Sequence, residues 1–244
     1  MIEIEQVSKS FGRVQALNNV SMTIGDGEIV GLLGLNGAGK TTLMRMIYGL
    51  IAPSSGHIRV DGVDATMEAE KVRQKLGVLP DGAGLYKRLT ARENIAYFAR
   101  LQGMSENDIR QSSDRLIEIL RMENIADRYS DGFSLGERMK TALARAIIHH
   151  PQHVLLDEPT NGLDVITTRA VRALLRQLKS EGRSVLFSSH LMYEVENLCD
   201  RVLIIAGGQL VAGGRIEDVL QAAGCSSLEE AFVTLSQGEA EHVF

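Results

Sequence analysis

The segment from residue 34 to residue 41 limits the possible folds of this chain more than any other. It reads Gly34-Leu-Asn-Gly-Ala-Gly-Lys-Thr41 and fits the pattern G-x-x-x-x-G-K-T. An apolar run over residues 29–33 precedes it, and Leu43, Met44 and Ile47 follow it at helical spacing. The sequence therefore predicts a buried strand, a glycine-rich turn and a helix in succession, a unit that binds the phosphates of a nucleoside triphosphate.

The residue types of this loop indicate how it would hold phosphate. Glycines allow the backbone to curl so that several N–H groups point inward, and the next helix presents its positive end. Lys40 adds a positive charge against the terminal phosphates, and the Thr41 hydroxyl is a ligand for Mg²⁺. We expect the phosphate-binding residues to be Gly34, Leu35, Asn36, Gly37, Ala38, Gly39, Lys40, Thr41 and Thr42. The alternative is a glycine-rich turn without function.

Apolar runs and one-sided helical patterns alternate along most of the chain. The runs cover residues 29–33, 153–157, 184–188 and 202–205, and their continuous apolar character is typical of parallel strands covered on both faces. Residues 90–129 differ, because Ile95, Phe98, Leu116 and Leu120 recur with a helical period and no convincing strand interrupts them. The sequence predicts an α/β fold with a largely parallel sheet and an inserted helical subdomain.

Composition narrows the class of protein further. The chain has 244 residues, a formal net charge of −5 and two cysteines, Cys199 and Cys225, which lack metal-ligand spacing and are expected to be inert. Acids stand where a secretory leader would need basic and then apolar residues, and no run approaches the roughly 18 residues of a membrane span. We therefore expect a cytoplasmic protein, and the mild acidity weighs against a nucleic-acid partner.

A second motif indicates what the chain does with a bound nucleotide. The strand of residues 153–157 ends in two adjacent acids, Asp157 and Glu158. Because side chains alternate along a strand, we expect the two to point to opposite sides and to differ in role. Asp157 would join the Mg²⁺ shell, and Glu158 would orient and polarise an attacking water. The alternative is a pair of acids solvated at a strand end.

Three further segments carry a resemblance to a known family. Phe133-Ser-Leu-Gly-Glu-Arg138 stands before a helix and some twenty residues ahead of Asp157, Asn161-Gly-Leu-Asp164 follows the acid pair, and Phe187-Ser-Ser-His190 ends a strand. In this order they resemble the signature, D-loop and switch histidine of the ATP-binding subunit of an ABC transporter, over residues 2–215. An N-capped helix is the alternative for the first segment, and a structural histidine is the alternative for the last.

The resemblance implies a fold and a role for each matching position. It implies a P-loop NTPase of ABC type, with a mostly parallel core sheet, an antiparallel β subdomain and a helical subdomain at about 90–135 inside an ATPase domain of residues 1–215. A weak helical pattern around Leu228, Ala231 and Phe232 separately predicts a helical tail over 216–244 with a frayed end. The implied roles are adenine stacking by Phe11, contact with a partner's ATP by Ser134, Leu135, Gly136 and Glu137, coupling of two sites by Asp164, and γ-phosphate contact by His190.

The roles implied for Phe11 and Asp81 are less direct than the others. The alternative for Phe11 is a core phenylalanine. Asp81 stands where the family usually has Gln, and it keeps an oxygen ligand for Mg²⁺ or water on a side chain one methylene shorter.

The family likeness also implies partners and a location. The chain would dimerise head to tail around two ATP molecules, as a homodimer or with a paired ATPase subunit. It would power a separate integral-membrane permease from the inner face of the membrane, in an export-type system most similar to sodium efflux. The alternatives are a soluble ATPase of the same type acting on nucleic acid or ribosomes, and a P-loop kinase or GTPase.

Overall fold

A computed structural model describes residues 1–82 and 84–237 of the chain. Its strands are β1 (Ile2–Phe11), β2 (Val14–Ile24), β3 (Ile29–Leu33), β4 (Ser55–Val60), β5 (Val63–Asp64), β6 (Leu76–Leu79), β7 (His153–Asp157), β8 (Ser184–Ser189), β9 (Arg201–Ala206) and β10 (Gln209–Arg215). Its helices are α1 (Lys40–Ile47), α2 (Ala69–Lys75), α3 (Ala91–Leu101), α4 (Glu106–Ile119), α5 (Leu135–Ile147), α6 (Val165–Ser180), α7 (Met192–Leu198), α8 (Ile216–Ala223) and α9 (Leu228–Gln237).

The central sheet has the strand order β10-β9-β3-β8-β7-β6. Neighbours from β9 to β6 run parallel, and β10 pairs antiparallel with β9. Ile29 and Leu33 of β3 pack in one hydrophobic cluster, whereas Val30 and Leu32 pack in the other, on the opposite face. A strand buried on both faces needs apolar residues at every position, which is why these runs are continuous. The predicted parallel core is confirmed.

A second sheet packs against one face of the first and has the order β2-β1-β4-β5, with all pairs antiparallel. Ile2, Ile4 and Val7 of β1 are buried, as half-buried strands require. They join the cluster that also contains Leu43 and Ile47 of α1. The antiparallel sheet therefore supports the helix that follows the glycine-rich loop.

Helices α3 and α4 lie between β6 and β7 and form the inserted helical part of the fold. Thr90 and Glu93 close a capping box at the start of α3, and Ser105 caps α4 by accepting a hydrogen bond from the backbone of Asp108. The apolar side of α4 includes Leu116, which is buried in the larger core cluster. The insertion predicted from the helical period is confirmed as part of this fold.

The tail forms α8 and α9, and Leu228, Ala231 and Phe232 are buried where the weak helical pattern placed them. The predicted fraying concerns the last seven residues, which lie outside the described residues. None of the helices over residues 1–82 and 84–237 combines the length and the apolar character needed to cross a bilayer.

Candidate functional site

The glycine-rich loop connects β3 to α1 with backbone geometry that only glycine adopts easily. Gly39 has φ 108° and caps α1 without a side chain. A Cβ at Gly39 would stand 2.6 Å from the carbonyl oxygen of Ala16, and one at Gly34 would stand 2.6 Å from that of Ile205. Since no capping side chain occupies the start of α1, its first N–H groups can receive an anion.

Lys40 is buried in the wall of this loop. Its Nζ atom donates hydrogen bonds to the carbonyl oxygens of Gly34, at 2.7 Å, and Leu35, at 3.2 Å. The same atom lies 3.8 Å from Oε1 of Glu158. One cavity of about 180 Å³, the P-loop cavity, is lined by both acids, by Asp81 and by most of the loop, namely Leu35, Asn36, Gly37, Gly39, Lys40, Thr41 and Thr42.

The acid pair differs from the expectation based on strand alternation. Strand β7 ends at Asp157, and Glu158 has a left-handed backbone with φ 51°. Both side chains consequently line the same cavity, so the expectation that alternation sends them to opposite sides was wrong. Their contacts nevertheless differ: Asp157 contacts the Thr41 hydroxyl at 2.8 Å, whereas Oε2 of Glu158 contacts Nδ1 of His190 at 2.9 Å.

The oxygen atoms around Thr41 fit a magnesium ion. Thr41 Oγ1 and the buried carboxylate of Asp157 are adjacent, and the exposed Asp81 lines the same cavity. Mg²⁺ prefers hydroxyl, carboxylate and water oxygens in this kind of partial protein shell. The set of donors therefore suits the ion that the sequence predicts.

Sequence reasoning missed Ser188. Its hydroxyl, fully buried in β8, donates to Oδ1 of Asp157 at 2.5 Å and accepts from the N–H of Glu158 at 2.9 Å. A serine inside an otherwise apolar strand was the available signal, because a buried hydroxyl needs a partner.

The signature segment lies at the start of α5. The Ser134 hydroxyl accepts from the backbone of Glu137 at 3.2 Å, and Glu137 accepts from the backbone N–H of Ser134 at 2.8 Å. This hydrogen bond, with help from Arg128, holds the pKa of Glu137 below its usual range. The N-capped helix is therefore present. The Ser134 hydroxyl acts as the acceptor in the capping bond, so its own hydrogen takes no part in that bond.

The D-loop packs beside the signature segment. Asp164 caps α6 by accepting from the backbone of Ile166 and Thr167, and these bonds, the Thr167 N–H first, lower the pKa of Asp164. A Cβ at Gly136 would stand 2.9 Å from Oγ1 of Thr167, so the two helix starts touch. Among the described residues, the wall of the P-loop cavity contains none of Ser134, Leu135, Gly136 and Glu137.

Phe11, Cys199 and His153 lie outside the wall of the P-loop cavity. Phe11 is 51% exposed at the end of β1, with Nζ of Lys9 at 5.1 Å from its ring centre, so its interpretation as a core residue is wrong. Burial raises the pKa of the Cys199 thiol, which agrees with an inert role. His153 is fully buried and bonds to Asp61 at 2.9 Å, away from the cavity.

Fold and cavity together define a class: the chain is a P-loop nucleotide-binding protein of the α/β type, with an acid pair at the strand end beside the loop. The profile of the ABC transporter family matches residues 17–161. The ABC transporter ATP-binding protein NatA of Bacillus subtilis (strain 168) is 44% identical over 222 residues, which cover 91% of this chain and 90% of that protein. The chain belongs to the ABC transporter family, and it is an ATPase of that family.

Other relatives agree with this membership. The Nod factor export ATP-binding protein I of Rhizobium meliloti (strain 1021) is 39% identical over 93% of this chain and 68% of its own length. A solved ATP-binding subunit of an ABC transporter superposes with a TM-score of 0.90 at 30% identity, covering 96% of this chain and 99% of that one. The ATP-binding cassette MJ0796, described as dimeric and bound to ADP and Pi after hydrolysis, matches at 0.81 and 25% identity, over 88% and 99%. The family resemblance and the fold class predicted from the sequence are confirmed.

Proposed function

We propose that this chain binds ATP with Mg²⁺, pairs head to tail with a second ATP-binding subunit, and powers export through a separate membrane permease. The proposal rests on the separation of the P-loop cavity from the signature segment within one chain. The P-loop cavity contains the triphosphate-binding residues, whereas Ser134 and Gly136 lie elsewhere, at the start of α5. A second copy turned head to tail would bring its signature segment to the first copy's phosphates.

The surface around the signature segment supports a paired state. Leu135 is 44% exposed, and Val165 and Ile166 at the start of α6 are 68% and 70% exposed. Apolar side chains grouped at one face are typical of a surface that is covered by a partner. The related cassette MJ0796, which is described as dimeric, has the same fold.

Each half-site would contribute a different part of the chemistry. In the first subunit, the start of α1 and Lys40 hold the phosphates, and Glu158 orients a water for attack. Thr41 and Asp157, with Asp81, would hold Mg²⁺, which neutralises phosphate charge when bound. His190 would contact the γ-phosphate, and Phe11 would stack on adenine. Hydrolysis and phosphate release remove the contacts that favour the closed pair, so the pair reopens.

A groove near α1, α3 and α5 supports permease docking. It has a volume of about 440 Å³ and combines aromatic side chains with positive charge. Its wall includes Arg45, Tyr48, Arg73, Phe98, Arg145 and His149, and over the described ranges it includes no acid. The guanidinium of Arg145 stacks over the Phe98 ring at 4.4 Å. We propose that an apolar helical segment of the permease, with an acidic residue, binds here. The export direction rests on the sequence likeness and on relatives named for Nod factor export.

The catalytic assignment is tested by Glu158→Gln. This change keeps the side-chain shape but removes the base, so turnover should fall by roughly 10² to 10⁴ while ATP still binds. Light scattering with ATP should then show a trapped dimer. Glu217→Gln, which changes an exposed acid outside the cavity, is the control. Full turnover in the Glu158 variant would refute the assignment.

The shared-site geometry is tested by Ser134→Ala in the Glu158→Gln background. Ser105→Ala is a matched control, because both serines cap a helix by accepting a backbone hydrogen bond. Each loss should cost about 1 kcal/mol of stability. Only the Ser134 change should leave a monomer at ATP concentrations that pair the parent. Equal dimerisation of the two variants would contradict a role for Ser134 at a partner's ATP.

The partner is tested by affinity capture from detergent-solubilised membranes. An integral-membrane protein should be recovered with the chain, and Phe98→Ala should reduce its recovery without lowering basal ATP hydrolysis. Leu101→Ala, which changes an exposed residue of the same helix outside the groove, is the control. Recovery of ribosomes or nucleic acid without a membrane protein would favour a soluble ATPase instead.

A further inference from the structure

A buried hydroxyl connects the two acids of the cavity. Ser188 is in β8, its side chain is fully buried, and it lies opposite Asp157 in the parallel pairing of β7 and β8. Its hydroxyl donates to Oδ1 of Asp157 at 2.5 Å, while the backbone N–H of Glu158 donates to the same hydroxyl at 2.9 Å. One oxygen atom thus contacts both residues of the acid pair.

The contact with Asp157 sets the direction of its carboxylate. Oδ2 accepts a hydrogen bond from the Thr41 hydroxyl at 2.8 Å, and Oδ1 accepts one from Ser188. Since each oxygen has a donor on a different strand or helix, the carboxylate plane is fixed from both sides. Without Ser188, Asp157 could rotate about its terminal torsion, which is intrinsically broad.

The contact with Glu158 supports an unfavourable backbone conformation. Glu158 has φ 51°, a left-handed conformation that is unfavourable for a residue with a Cβ. This turn of the backbone directs the Glu158 side chain into the P-loop cavity beside Lys40 and His190. The hydrogen bond from its N–H to Ser188 holds the turn in place. Loss of that bond would let Glu158 return toward an extended backbone.

We propose that Ser188 is a positioning residue for ATP hydrolysis, which acts by fixing Asp157 and the backbone of Glu158. This inference rests on the proposed function, because it takes Glu158 as the residue that orients water. The other serines of β8 do not share the role. Ser184 donates to the carbonyl oxygen of Gly25 at 2.7 Å, and Ser189 accepts from the N–H of Leu191 at 3.0 Å.

The test compares Ser188→Ala with Ser184→Ala. Both changes remove a buried hydroxyl from the same strand, but only the first removes contacts to the acid pair. In Ser188→Ala, kcat should fall roughly 10- to 100-fold, because small displacements of a positioned group have effects of this size. KM for ATP and the affinity in a fluorescent-nucleotide titration should stay within about twofold, because Lys40 and the loop are unchanged. Ser184→Ala should keep kcat within about twofold.

A second readout does not depend on activity. In hydrogen exchange followed by mass spectrometry, the peptide that contains Glu158 should exchange faster in Ser188→Ala and not in Ser184→Ala. Ser188→Cys keeps the shape of the side chain, with a larger sulfur atom and weaker hydrogen bonds, and should show the same two changes, so it replaces the alanine variant if that one does not fold. Ser188→Thr, which keeps the hydroxyl, should retain more of the turnover than either.

Combination with Glu158→Gln separates a positioning role from a general loss of structure. Ser188→Ala added to Glu158→Gln should lower the residual rate by less than it lowers the rate of the parent, because the part of its effect that acts through Glu158 is already lost. A loss there as large as the loss in the parent, or kcat within twofold of the parent in both Ser188→Ala and Ser188→Cys, would overturn the inference. Failure of the proposed function would be visible separately, as undiminished turnover of Glu158→Gln alone.

Discussion

Lys40 and Glu158 form an ion pair that is largely buried. Their charged atoms lie 3.8 Å apart, with the side chains 6% and 15% exposed. A buried charge is costly unless it is paired, so each acts as the counter-ion of the other, and His190 adds a contact to the same carboxylate. Phosphate oxygens would offer Lys40 a stronger anionic partner. We expect ATP to take over this contact and leave Glu158 facing the attacking water.

At the residue scale, Lys40→Ala should weaken ATP binding by about 10-fold or more, because one charge-assisted hydrogen bond contributes about 1.5–3 kcal/mol. A nucleotide titration measures this. Lys71→Ala removes a lysine that is 69% exposed on α2 and serves as the control. An unchanged dissociation constant in Lys40→Ala would show that the ammonium does not face the phosphates.

Helix α3 fixes the loop that precedes it through one buried side chain. Oδ1 of Asn94 accepts from the N–H of Tyr86 at 2.9 Å, and its amide nitrogen donates to the carbonyl oxygen of Thr90 at 2.9 Å and lies 3.2 Å from that of Leu89. The loop carbonyls of Leu89 and Thr90 also accept backbone hydrogen bonds, whereas the N–H of Tyr86 depends on the Asn94 amide. Tyr86 in turn packs edge-on against Tyr97, with ring centres 5.2 Å apart.

At the element scale, Asn94→Ala should lower the free energy of unfolding by about 1–3 kcal/mol, because it leaves the N–H of Tyr86 without its partner and removes the bonds that the buried amide donates to the loop. Urea unfolding measures the change. Asn197→Ala is a matched control with an exposed side chain that donates one bond, to Tyr193, and it should cost less than about 0.5 kcal/mol. A cost for Asn94→Ala as small as that of the control would contradict this account of the loop.

Three histidines near the end of α5 join separate parts of the molecule. His149 contacts the carbonyl oxygen of Leu76 in β6 at 3.2 Å, His150 contacts Ser112 of α4 at 3.0 Å, and His153 contacts Asp61 beside the antiparallel sheet. Core sheet, helical insertion and antiparallel sheet therefore meet along one short segment. Burial lowers the pKa of all three histidines below the ordinary value, and nearby Arg183 adds to this for His150.

At the scale of the whole molecule, these lowered pKa values predict acid sensitivity. The unfolded chain binds more protons than the folded one as the pH falls through the ordinary histidine value near 6.5, so this contribution is fully present above that pH and declines below it. Thermal unfolding between about pH 8 and pH 5 should show a falling Tm. His149→Gln, which can still donate to Leu76, should reduce the slope, whereas His57→Gln at an exposed position of β4 should not. Equal slopes in all three proteins would disprove the linkage.

Local patterns in the sequence determined the strand, loop and helix around Lys40, the apolar runs of the core sheet and the presence of an acid pair. Such features follow from residue spacing alone, because glycine geometry and the strand and helix periods act over a few residues. Only the tertiary structure decided that Glu158 leaves the strand with a left-handed backbone, and that Ser188 contacts both acids. Those contacts depend on the register of β7 against β8, which joins residues 31 positions apart. Strand register is set by the packing of the whole sheet, so no short segment of the sequence encodes it.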